Sequence, residues 1–211
     1  MDLYFSPLAC SMASRIAVYE AGANATFIQV DPKAKRTLDG VDYRTVNPLG
    51  LVPALRTGSG TVLLENAAIL QFIADQHPAA RLAPRAGLPR AQLQQWLSFV
   101  GTELHKALFV PLFDKALADT TKAKVLETGS KRLAYVDQHL TGRDFLLDDF
   151  SVADAYLLTV LNWNIATPVD LSSWPAVVSY FNRLKMRPAI ARALKEESTL
   201  YAEEQKRHKA A

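Results

Sequence analysis

Tyr4-Phe5-Ser6-Pro7-Leu8-Ala9-Cys10-Ser11-Met12 is the stretch on which the reading of this chain turns, and it carries the only cysteine. Leu3, Tyr4 and Phe5 read as a short aromatic-rich strand. Ala9, Ala13, Ile16 and Ala17 then recur at helical spacing, and Gly22 stands where a helix end wants a left-handed residue. Cys10 therefore falls at a strand-to-helix turn, near a helix N-terminus. Unpaired N–H groups and the helix dipole favour a thiolate there. The alternative is a buried cysteine that acts as a small hydrophobe.

Working outward, Thr26-Phe27-Ile28-Gln29-Val30 reads as a second strand, stopped by Asp31-Pro32. A charged segment, Lys33 to Thr37, leads into a polar, weakly helical stretch that reaches Val46. Asn47-Pro48-Leu49-Gly50 is a turn signal. Leu51-Val52-Pro53-Ala54-Leu55-Arg56 reads as a short strand, Thr57-Gly58-Ser59-Gly60 as a hairpin turn, and Thr61-Val62-Leu63-Leu64 as the returning strand. Glu65-Asn66 opens a helix to about Gln76. The expected order is β-α-β-α-β-β-α, a small α/β unit over residues 1–78. A proline-rich, aperiodic linker follows over 79–89. Residues 90–211 read as helix throughout, in five segments: Arg90–Leu117, Thr121–Leu140, Val152–Trp163, Trp174–Met186 and Ala189–Glu204. That second domain is expected to be a helical bundle.

With 211 residues, 49% of them hydrophobic, the chain can bury a sizeable core. The net charge is only +3, and acidic residues interleave with the 24 Lys and Arg, unlike the clustered patches that bind nucleic acid. The densest basic run, Gln205 to Lys209, reads as a frayed, solvated end. One cysteine excludes an intrachain disulfide and any site built on paired cysteines, and the four histidines show no metal-ligand spacing. The N-terminus has no signal-peptide pattern, and no apolar run approaches the ~20 residues of a membrane helix. These features predict a soluble cytoplasmic protein with no metal, nucleic-acid or membrane partner.

Three further places carry more than packing. Val52-Pro53 sets a proline inside an apolar strand. The bond is either an ordinary trans peptide or a cis one, which would turn the Val52 backbone groups toward a ligand. Glu65-Asn66 either caps its helix or offers a carboxylate and free N–H groups to a small charged ligand. On the long helix after the linker, Leu93, Trp96, Leu97, Val100, Leu104, Ala107 and Leu108 form an apolar stripe. Ser98, Thr102 and His105 share the opposite face, which is either solvated or lines a cleft. Ser151 and Asp154 have the spacing of a capping box on the helix that starts at Val152.

The chain resembles the bacterial glutathione S-transferases, and is most similar to their beta class. The resemblance rests on SPLACS around Cys10, DPKAKRT around Lys35, NPLGLVPAL around Pro53, LLENAAILQFIAD from Leu63, ELHK around His105 and FSVADAYL from Phe150. It implies a thioredoxin-like first domain, an all-helical second domain and a homodimer. It implies a cis bond at Pro53, with Val52 pairing to the cysteinyl backbone of glutathione, Glu65 and Asn66 on the γ-glutamyl end, and Lys35 near the glycyl carboxylate. Cys10 and His105 are expected at the glutathione sulfur, His105 either protonated or as a hydrogen-bonding group, with Trp163 and the Ser98–Thr102 face nearby. The chain departs from the pattern at Asn66, where a hydroxyl or small residue is common, and at Ser98 and Thr102, where asparagines are common.

The resemblance implies a detoxifying enzyme that joins glutathione, its co-substrate, to a hydrophobic electrophile. Thiol transfer through Cys10 is a second expected activity. Met12 and Ala13 stand where a resolving cysteine would be, so a dithiol cycle within the chain is excluded. The competing reading is a non-catalytic ligand carrier or interaction protein on the same fold.

Overall fold

The computed structural model describes residues 1–210. The chain condenses into two compact units, Met1–Leu82 with the segment that begins at Arg187, and Ala83–Met186.

The first unit is built on a five-stranded sheet of β1 (Asp2–Phe5), β2 (Thr26–Asp31), β3 (Arg36–Thr37), β4 (Ala54–Arg56) and β5 (Val62–Leu64), in the order β3-β2-β1-β4-β5. β1 runs parallel to β2, with Leu3 opposite Phe27, and antiparallel to β4, with Leu3 opposite Leu55. Parallel neighbours need a crossover, and α1 (Ser11–Glu20) supplies it. β1 is central, so Leu3, Tyr4 and Phe5 are all buried. β4 and β5 form the expected hairpin, closed by Gly60 N–H donating to the Thr57 carbonyl at 3.0 Å. α2 (Asn66–Gln76) follows and packs on α1.

Two expectations for this unit need correction. No α-helix links β2 to β4. Arg36 and Thr37 turn back as β3, Gly40 at φ 90° closes a turn on Thr37, and Tyr43–Thr45 make a single 3₁₀ turn capped by Asp42. A left-handed residue at position 40 stops helical propagation, and Tyr43 leaves the polar surface to bury itself against Tyr4, Val30 and Ala54. The basic C-terminal run is not frayed. It ends α8 (Pro188–Ala210), which packs on α1 in the sheet unit, and His208 Nε2 lies 2.9 Å from the Asp31 carboxylate.

In the second unit, α3 (Gly87–Phe99) runs on into a π-helical segment, Val100–Phe109, and then into α4 (Val110–Phe113). α5 (Asp119–Leu140), α6 (Val152–Leu161) and α7 (Pro175–Lys185) complete it. All ten residues of α6 are buried, so it is the core helix, and α3, the π segment and α7 pack around it. Such an all-round hydrophobic helix needs a firm start. Ser151 and Asp154 provide the predicted capping box: Asp154 accepts from the Ser151 N–H at 2.8 Å, and Ser151 Oγ accepts from the Ala153 N–H at 3.3 Å. Asp154 also accepts from Leu146 N–H at 2.8 Å and Tyr180 Oη–H at 2.9 Å. Burial pushes its carboxyl pKa up, against the pull of those donors.

Candidate functional site

Cys10 is the N-cap of α1, as the strand-to-helix reading requires, and its side chain does not cap the helix. Its Sγ instead points at the carbonyl of Val52, 3.2 Å away. Donation to this carbonyl belongs to the protonated thiol, whereas the N–H groups at the start of α1 favour the thiolate. The Val52–Pro53 bond is cis. The backbone before it is fixed from below: Tyr43 Oη–H donates to the Leu51 carbonyl at 2.8 Å, and Asn47 Nδ2–H does so at 2.7 Å. Burial drives the Tyr43 hydroxyl far above its ordinary pKa, so it remains a donor. Neither Tyr43 nor Asn47 was legible as a site residue. The only signal is a polar pair a few residues ahead of the Val-Pro element.

Lys35 belongs to the same frame. Its Nζ donates to the Gly50 carbonyl at 3.0 Å, and its stem lies so close to Gly50 that a Cβ there would meet Lys35 Cδ at 3.0 Å. Gly50 also sits at φ 62°, so glycine is favoured on both counts. The lysine cation is thereby held beside the turn that leads to Val52.

Glu65 and Asn66 divide the work at the start of α2. Glu65 takes φ 67°, ψ 118°, a region that costs a non-glycine residue ~1–3 kcal/mol. Its side chain is exposed and makes no cap hydrogen bond, so the capping reading does not hold. Asn66 is buried, and its amide is used inside the protein: Nδ2–H donates to the Cys10 carbonyl at 3.1 Å, and Oδ1 accepts from Ser14 Oγ–H at 2.8 Å. Asn66 thus ties the starts of α1 and α2 together. The backbone N–H groups at the start of α2 are the part of this pair suited to a ligand.

In the helical unit, His105 is buried, with Nδ1 2.7 Å from Tyr156 Oη and its ring edge-on to Trp163 at 4.9 Å between centroids. Phe109 and Phe113 pack edge-on to the same indole. Burial and the neighbouring Lys106 charge pull the His105 pKa down to about 4. Of the two expected forms, His105 is therefore the neutral hydrogen-bonding one near pH 7. Ser98 and Thr102 do not share its face. Both are exposed, and Thr102 Oγ1 donates back to the Ser98 carbonyl at 3.0 Å. The π winding explains the difference. Val110 N–H reaches back to the His105 carbonyl, an i→i+5 bond, so each turn takes more residues than the 3.6-residue wheel assumes. His105 is rotated inward, and Ala107, assigned to the apolar stripe, is rotated out to solvent. Tyr156 lies in the FSVADAYL segment, but nothing in that pattern pairs it with a histidine 51 residues earlier.

Among the described residues, no helix is long and apolar enough to cross a membrane. Nor do three or more His, Cys, Asp or Glu side chains gather as metal ligands.

Comparison with known proteins agrees with this architecture. Residues 2–75 match the family described as glutathione S-transferase, N-terminal domain, and residues 102–188 match glutathione S-transferase, C-terminal domain. Glutathione S-transferase GstA of Escherichia coli O157:H7 is 39% identical over 199 residues, spanning 93% of this chain and 98% of that one. A sphingomonad glutathione S-transferase solved with glutathione is 46% identical, with a TM-score of 0.90 over 94% of this chain and 99% of that one. A beta-class glutathione S-transferase of Sphingomonas chungbukensis is 43% identical, with a TM-score of 0.89 over 93% and 98%. The chain belongs to the glutathione S-transferase family.

Proposed function

We propose that this glutathione transferase conjugates glutathione to hydrophobic electrophiles and also carries out thiol transfer through Cys10. The observation that carries the reading is the 3.2 Å contact between the sole thiol and the Val52 carbonyl at a cis Val-Pro bond. An extended tripeptide that pairs with the Val52 backbone brings its own cysteinyl sulfur to the side where Cys10 waits. Lys35 supports the glycyl carboxylate. The strained Glu65 and the N–H groups that open α2 support the γ-glutamyl end. His105, neutral and held by Tyr156, is assigned the hydrogen bond to the reacting sulfur, and Trp163 the apolar wall beside it. The resemblance also assigns Ser98 and Thr102 to glutathione; their exposure makes them the weakest members of the set.

The two activities use sulfur differently. In conjugation the glutathione thiolate attacks the electrophile, the C–S bond forms as the leaving group departs, and the thiol proton goes to solvent. Cys10 need only orient that sulfur. In thiol transfer the Cys10 thiolate attacks the glutathionyl sulfur of a mixed disulfide and expels the other thiolate. A second glutathione then attacks the Cys10–glutathione disulfide, releasing oxidised glutathione and restoring Cys10. Cys10→Ser is expected to abolish reduction of hydroxyethyl disulfide while leaving appreciable conjugation of 1-chloro-2,4-dinitrobenzene. Equal loss of both at unchanged glutathione affinity would falsify this division. Absence of both activities in the wild-type protein would favour the ligand-carrier reading.

We further infer a cytoplasmic, detoxifying homodimer. The mixed polar and apolar surface of the helix that begins at Gly87 supports the dimer, and sedimentation showing only monomer at micromolar concentration removes it.

A further inference from the structure

Arg15 and Glu197 form a buried charged pair that the proposed chemistry does not use. Arg15 is 3% exposed, and its guanidinium carbon lies 4.2 Å and 4.1 Å from the ring centres of Phe5 and Phe27, a cation held between two aromatic faces. Its Nη1 pairs with Glu196 at 3.1 Å, and its Nε lies 2.9 Å from Glu197 Oε1. Glu197 is fully buried, a costly place for a carboxylate even with a partner. Burial pushes its pKa up to about 7, against the pull of Arg15.

The other oxygen of Glu197 shows what the pair holds. Oε2 accepts from the backbone N–H of Leu8 at 2.7 Å. Leu8 is two residues ahead of Cys10, at φ 59°. Ala9 N–H donates to the Ser6 carbonyl at 3.1 Å, so Ser6 to Ala9 form a turn with proline at its second position and Leu8 at its third. A turn with a positive φ at the third position is type II, and glycine is the usual occupant. A leucine there persists only where its surroundings hold it.

We propose that Glu197 is a positioning residue for Cys10: it captures the outward N–H of Leu8, keeps the Ser6–Ala9 turn in its left-handed form, and so fixes Cys10 at the start of α1. Arg15, anchored on α1 itself, sets the angle of the Glu197 carboxylate. The clamp therefore grips the loop and the helix on either side of Cys10. This rests on the assignment of Cys10 to the reaction. If the clamp is released, Leu8 relaxes to negative φ, and Cys10 shifts away from the N–H groups that favour its thiolate.

Cys10 is the sole cysteine, so alkylation by iodoacetamide reports on it alone. Glu197→Met keeps the volume and removes both acceptors. It is expected to slow alkylation at pH 7 at least fivefold, to move the pH midpoint of alkylation upward, and to raise the KM for glutathione more than it lowers kcat in thiol transfer. Glu197→Gln has one acceptor for two donors and is expected to lose at least threefold in the same direction. It decides the matter if Glu197→Met does not fold. Adding Leu8→Gly, which takes positive φ without help, is expected to restore at least half of the lost reactivity in either background, a rescue that a merely structural role would not give. Smaller losses in folded protein, or no rescue, overturn the proposal. Alkylation requires no catalysis, so retention of thiol transfer in Cys10→Ser would overturn the role of Cys10 and leave the clamp measurable.

Discussion

The side-chain amide of Asn66 donates to the carbonyl of Cys10 at 3.1 Å, while its oxygen accepts from Ser14 at 2.8 Å. One buried side chain therefore joins the starts of α1 and α2, the two helix ends proposed to receive glutathione.

Asn66→Ala leaves the Ser14 hydroxyl and the Cys10 carbonyl without this partner. The expected cost is ~1–3 kcal/mol of stability for the buried groups left unmade. The KM for glutathione should rise several-fold with kcat less affected, because the backbone N–H groups of α2 remain. Urea unfolding and steady-state kinetics on the same preparation check both parts.

Tyr156→Phe removes the partner of His105 Nδ1, 2.7 Å away. The hydrogen bond on one ring nitrogen sets which form the other nitrogen presents. Conjugation kcat is expected to fall about tenfold, the worth of one hydrogen bond, with the KM for glutathione nearly unchanged. A kcat within twofold of wild type removes Tyr156 from the mechanism.

Asp154→Ala deprives the Ser151 and Leu146 amides and the Tyr180 hydroxyl of one buried acceptor. Loss of the cap costs ~1 kcal/mol, and stranded donors add ~1–3 kcal/mol. The thermal midpoint should drop by several degrees or more, while glutathione affinity per folded molecule is kept. An unchanged midpoint counts against the box as a stabilising device.

Glu197 and His105 are expected to give stability opposite pH dependences. Glu197 is raised by burial from 4.5 to about 7, so between those values the native state keeps a proton that the unfolded chain has released, and stability falls as pH rises. His105 is lowered by burial from 6.5 to about 4, so the unfolded chain holds the extra proton, and stability climbs with pH over that window. In wild type the two effects oppose each other over overlapping pH ranges. Relative to wild type, the unfolding free energy of Glu197→Gln should rise from pH 4.5 to 7, and that of His105→Gln should fall from pH 4 to 6.5. Denaturant titrations across that range test the signs, and parallel curves for wild type and variant would reject the assignment.

Where the sequence could be read, the cause was local. The strand-to-helix position of Cys10, the Val52-Pro53 element, the β4–β5 hairpin and the Ser151–Asp154 box are each signalled by residues within a few positions of one another. What escaped needed partners far along the chain. Leu8 meets Glu197, Gln29 meets Glu204 and Asp31 meets His208 across 175 to 189 residues, and no spacing signals such pairs. The inward turn of His105 escaped for another reason. The apolar stripe from Leu93 to Leu108 fits an α-helical wheel well enough to conceal the π winding in its second half. Between Thr37 and Val46, polar composition gave no warning that Tyr43 would become core.

The pairing of Arg15 with Glu196 and Glu197 also has a consequence for how the chain is made. Arg15 leaves the ribosome before the helical unit, and its two carboxylates are made only after that entire unit. At ~5–20 residues per second, roughly ten seconds or more separate them. Throughout that interval α1 holds a cation with no carboxylate to meet it, and Leu8 has no acceptor from Glu197. The sheet unit, begun before the helical unit, is completed only after it.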